Sequence, residues 1–130
     1  MRTEVIDALN TLAITGYSVA RELPYDETGA ALYLKNPKKI YVDREDVEIT
    51  PLYTTLNAAD ISNETTTVRA YYSIDAKNIP ANYDTVIASL RTMKRDIVRA
   101  GANSREAFVT TSYEGDLLVV QLEYRLTRIT

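Results

Sequence analysis

The chain has 130 residues, 45% hydrophobic and 25% charged, a balance that argues against intrinsic disorder and suits one domain with a two-layer core. It contains no cysteine and no histidine, which excludes disulfides, thiolate nucleophiles and Cys/His metal centres and lowers the prospects for acid–base catalysis near neutral pH. A net charge of −3 lacks the basic excess that grips nucleic acid, and no window approaches the roughly 20 apolar residues of a membrane span.

Met1-Arg2-Thr3-Glu4 runs straight into an amphipathic pattern, unlike a secretory signal, so an intracellular product is expected. Val5, Leu9 and Leu12, flanked by Ile6 and Ala13, mark one face of a helix over residues 3–14. Thr3 is its expected N-cap and Gly16 its stop. Val19, Arg21 and Leu23 alternate with Ala20 and Glu22 until Pro24. After the turn Asp26-Glu27-Thr28-Gly29, Leu32 and Leu34 bracket Tyr33, and the two runs read as a hairpin. Ile40-Tyr41-Val42 is a third short strand. Residues 43–63 lose the period: Val47 and Ile49 alternate with Glu48, but Pro51 interrupts, and a long excursion with at most one short strand is expected.

Residues 65–75 form the clearest strand of the first half, with Val68, Ala70, Tyr72 and Ile74 on one side and Thr67, Arg69, Tyr71 and Ser73 on the other. A second helix starts at Pro80 or Asn82 and closes at Gly101. Its buried face is Val86, Leu90, Met93 and Ile97, with Ile87 and Val98 on the shoulders. Asp84 lies at its positive end and Lys94, Arg95 and Arg99 at its negative end. The chain closes with a long hairpin turning at Glu114-Gly115-Asp116, whose last strand alternates Leu118, Val120, Leu122, Tyr124 and Leu126 with a mostly polar set. The expected fold class is therefore α+β: one domain over residues 1–130, a mostly antiparallel sheet with two helices packed on one face and a closing C-terminal β-hairpin.

The chemistry is sparse. The four glycines are scattered at turns, and no phosphate loop, GxSxG, HExxH or EF-hand pattern occurs. Asp43-Arg44-Glu45-Asp46-Val47-Glu48 is the densest carboxylate cluster, but it lacks the glycine and spacing of a cation loop and reads as a solvated or intersubunit face. Asp75 and Lys77 could serve acid–base work, although an exposed ion pair at a turn explains them more simply. Ten tyrosines stand against one phenylalanine and no tryptophan. Tyr72 and Tyr124 fall on core faces, whereas Tyr33, Tyr41 and Tyr71 fall on the opposite sides of their strands, where sheet propensity or an interface would account for them. The interface candidates are Arg69, Tyr71, Glu123 and Arg125 on the outer sheet faces, together with Asp43, Glu45, Asp46 and Glu48. No catalytic, cofactor-binding or metal-binding residue is expected.

In layout over nearly its full length, the chain resembles the tail terminator (tail completion or neck) proteins of long-tailed bacteriophages. The strand Thr67-Val68-Arg69-Ala70-Tyr71-Tyr72-Ser73-Ile74-Asp75-Ala76-Lys77, the helix opening Asn82-Tyr83-Asp84 and the turn Thr111-Ser112-Tyr113-Glu114-Gly115-Asp116 carry the likeness. The resemblance implies a structural virion subunit, made in the host cytoplasm, that forms a ring, typically of six copies, on the end of the tail tube. Such a ring stops tube growth and offers a surface to the head-completion or connector protein. Its partners are further copies of itself, the tube protein and that connector; DNA passes through without specific binding. Another head–tail connector or minor tail protein is the alternative, followed by a small ligand-binding module or enzyme built around Asp75, Lys77 and the acidic cluster.

Overall fold

The computed structural model describes residues 1–12, 17–36, 38–54, 60–75, 83–84, 87–88 and 104–129. Helix α1 (Arg2–Leu12) leads into β1 (Ser18–Ala20), a single helical turn α2 (Leu32–Lys35), β2 (Lys39–Val42), β3 (Asp46–Thr54), β4 (Asp60–Asp75), β5 (Ser104–Glu114) and β6 (Leu117–Ile129). The strands form one six-stranded sheet in the order β1-β2-β4-β6-β5, with β3 also paired to β4. Every pairing is antiparallel except β1 with β2. The fold is α+β, closed by the β5–β6 hairpin, whose turn uses Gly115 at a φ of 60°.

The core follows from period-two patterning. Val68, Ala70, Tyr72 and Ile74 of β4 are fully buried and stand opposite Tyr124, Leu122, Val120 and Leu118 of β6. Ala107 and Val109 of β5 extend the same face. Val5, Ile6 and Leu9 of α1 cover it, one helical stripe against one sheet face. Burying a side chain such as Leu122 contributes roughly 1.5–3 kcal/mol, and truncating it to Ala would cost about 2–5 kcal/mol through the cavity left behind. The expected second helix lies largely outside the described residues. Of it, Tyr83, Asp84, Ile87 and Ala88 are helical, and Tyr83 and Ile87 pack against this core cluster.

Three local expectations are corrected. Thr3 is inside α1 rather than capping it: the helix starts a residue earlier, and Val5 N–H donates to the Met1 carbonyl at 3.0 Å. The early hairpin does not form. Asp26 Oδ1 accepts from Thr28 N–H, Thr28 Oγ1 and Ala30 N–H, folding residues 26–30 into a tight polar turn. The chain then enters the α2 turn, while β1 pairs in parallel with β2. Residues 55–59 lie outside the described residues, and the described parts of residues 43–63 are no excursion either. They supply nine-residue β3 and the first part of sixteen-residue β4, and a register shift between Pro51 and Tyr53 absorbs the interruption at Pro51.

Candidate assembly surface

β4 carries β6 along one edge and both β2 and β3 along the other, β2 opposite Tyr71 and Ala70 and β3 opposite residues 60–67. This arrangement gathers the polar side chains opposite the core into one chain of ion pairs. Arg69 donates through Nε to Glu123 Oε1 and through Nη1 to Asp46 Oδ2, both at 2.8 Å. Glu123 Oε2 meets Arg125 Nη2 at 2.8 Å, and the Arg125 guanidinium lies over the Phe108 ring, 4.9 Å from its centroid. Four strands are thus tied across their outer face. Burial works against the Arg69 charge, but the bonds to Glu123 and Asp46 outweigh it and hold the guanidinium above its ordinary value.

Of the interface candidates, Arg69, Glu123, Arg125 and Asp46 therefore come together, each paired with an opposite charge within the chain. Glu45 lies elsewhere. It accepts from the amine of Met1 and from Arg2 N–H, which keeps its carboxyl below the usual range. Asp43 Oδ1 accepts from Arg44 N–H, while Asp43 N–H donates to the Arg69 carbonyl at 2.7 Å, joining β2's end to β4. Glu48 sits exposed on β3.

Tyr71 is not on an open face. The Tyr33 ring stacks on it at 5.1 Å, Tyr25 packs edge-on to both, and the segment bearing α2 lies over this end of the sheet. Ser73, expected on the outer side, is fully buried there, and its hydroxyl donates to the Tyr33 carbonyl at 2.7 Å. Tyr41 is also buried, accepting from Asn36 Nδ2 at 2.8 Å. An open depression of about 510 Å³ beside this cluster is lined by Glu22, Leu23, Tyr25, Asp26 and Leu32 among others. Asp26 is already committed to Thr28, Ala30 and Lys35.

Among the described residues, β3 carries more of the large exposed hydrophobic side chains than any other element. All nine of its residues are exposed, including Val47 at 52%, Ile49 at 62%, Leu52 at 45% and Tyr53 at 63%. Across from Thr66 and Glu64, Val47 and Ile49 share the sheet's core-side face, beyond the part that α1 covers. Tyr53 lies opposite Ile61 on the other face, near exposed Ile129. Isolated exposed hydrophobes are ordinary, but Val47 and Ile49 adjoin on one face of a strand with a free edge among the described residues, a pattern that suits an interaction surface. The alternation of Val47 with Ile49 is visible in the sequence; that both are more than half exposed depends on the fold. Phe108 was missed as Arg125's partner, because that contact depends on the β5–β6 register.

Among the described residues, no group of acidic side chains is arranged to hold a metal ion, and no helix is long and apolar enough to cross a membrane. Lys77 lies outside the described residues. No protein-family model matches the chain, and no curated protein shows significant similarity to it.

Proposed function

We propose that this chain is a structural subunit that closes into a ring and caps the tail tube of a long-tailed bacteriophage, with the ring forming the joint to the head. The observation that carries the assembly half of this reading is β3, an edge strand among the described residues, exposed along its whole length, with Val47, Ile49, Leu52 and Tyr53 each 45% exposed or more. A monomer that worked alone would be expected to blunt or cover such an edge. The phage half rests on the resemblance in element order and wording, with which the helix-first layout and closing hairpin agree. The internally neutralised ion chain of Asp46, Arg69, Glu123 and Arg125, on a chain of net charge −3, suits a part that DNA passes without gripping.

Light scattering across a wide concentration range, with negative-stain images of the largest species, tests the ring. Addition of the protein to growing tail tubes tests the cap. Closed rings and tubes arrested on addition are the expected outcome. A monomer at every concentration that leaves tube length unchanged would overturn the reading.

A further inference from the structure

Resting on the ring reading, the strand directions point to a specific seam: we infer that residues 46–50 of β3 pair antiparallel with β5 of a second copy. β3, β4, β6 and β5 alternate in direction, and among the described residues the far edges of β3 and β5 carry no strand partner. Four alternating strands end in edges of opposite direction. Identical copies related by rotation therefore meet with β3 and β5 antiparallel and with the same sheet face on the same side, the heterologous contact that a closed ring requires.

The pairing stops at Thr50 because Pro51 has no N–H to offer and the register shift follows it. Side-chain chemistry then narrows the register. Face-matched pairings that keep residues 46–50 within β5 range from Glu48 opposite Glu106 to Asp46 opposite Glu114, and both extremes oppose like charges. The two between them place Glu48 opposite Thr110 or Phe108. In the first, Ile49 meets Val109; in the second, Ile49 meets Ala107 and Val47 meets Val109. Val109 and Ala107 already pack on the core, so either register continues the core's apolar row onto the next copy's β3. Twofold pairing of β3 with itself over the same residues sets Glu48 against Glu48, which disfavours a symmetric dimer.

The size of the contact also favours a ring over a pair. A five-residue edge is only about 17 Å long. Such a short edge makes a small contact for a pair held by it alone, whereas in a ring each copy makes the contact twice and closure adds avidity.

The chain has no cysteine, so engineered thiols are the sole ones present. The experiment is mild oxidation of Glu48→Cys mixed with Thr110→Cys, of Glu48→Cys mixed with Phe108→Cys, and of each variant alone, at concentrations matching the scattering runs. One mixture should give a covalent dimer, Glu48→Cys alone should not, and the matching double variant should give a ladder ending at the ring size. Rings in the images without cross-linking in either mixture would overturn the seam and leave the ring reading standing. Efficient cross-linking of Glu48→Cys with itself would replace the seam with twofold pairing. Neither rings nor cross-links would remove both readings.

Discussion

Arg69 and Glu123 stand directly opposite one another on β4 and β6, joined by a 2.8 Å hydrogen bond, and the Glu123 side chain is only 12% exposed. Replacing Arg69 with Met would remove this bond and the one to Asp46, leaving Glu123 to Arg125 alone. A loss of about 1–3 kcal/mol is expected, read as a lower denaturant midpoint with an unchanged slope. A loss below the measurement error would mean that solvent already screens the network. The same geometry makes Arg125→Glu a poor probe of assembly, since it would set a second carboxylate beside Glu123 and weaken the fold as well.

Tyr72 is fully buried, and among the described residues its hydroxyl has no hydrogen-bond partner. A buried donor left unpaired carries its desolvation cost with no return. Tyr72→Phe should therefore be neutral or stabilising, by up to about 1 kcal/mol, visible as an equal or higher melting temperature. A clear drop in melting temperature would show that the hydroxyl is bonded in solution.

Burial, the bond with Tyr25 and the neighbouring rings push the Tyr33 hydroxyl up to about 12. Unfolded tyrosine titrates near 10, so the folded state holds this proton more tightly. The resulting stabilisation is whole below about pH 10 and is lost as pH rises through the folded value. Burial raises Tyr72 and Tyr124 as well, so phenolate absorbance should show several tyrosines titrating late, and Tyr33→Phe should reduce that late component by one group. Titration of every tyrosine near 10 before unfolding would contradict the packing of Tyr25, Tyr33 and Tyr71.

Asp26 behaves in the opposite sense. Its bonds with Thr28, Ala30 and Lys35 hold the carboxyl well below the usual range, so the order it gives the turn is present above ordinary aspartate values and lost as pH falls. Asp26→Ala should accelerate amide exchange at Thr28 and Ala30 near neutral pH. Unchanged exchange there would mean that the turn holds without the carboxylate.

The patterning of Val68, Ala70, Tyr72 and Ile74 against Leu118, Val120, Leu122 and Tyr124 was legible because one face is dry and the period is two. β3 was not, since a strand exposed on both faces has no side from which to exclude polar residues, and Pro51 mimics a boundary. The α2 turn failed for a different reason. Leu32 and Leu34 alternate like a strand, yet the Asp26 turn and the stacking of Tyr33 on Tyr71 decide their conformation, and neither is a local pattern. At the candidate surface, the alternation places Arg69, Glu123 and Arg125 on the outer sheet face, as the structure does, but that they neutralise one another depends on the β4–β6 register.

That register has a kinetic consequence. Asn63 pairs with Ile129 and Asp75 with Leu117, so the central ladder closes only after the intervening chain has been gathered in. The β5–β6 hairpin turns on Gly115 and is local, and it can form first. Until β4 arrives, β6 presents an open, largely apolar edge. An unpaired strand edge is a template for wrong partners, so in that interval the folding chain is more open to misassociation than the finished sheet.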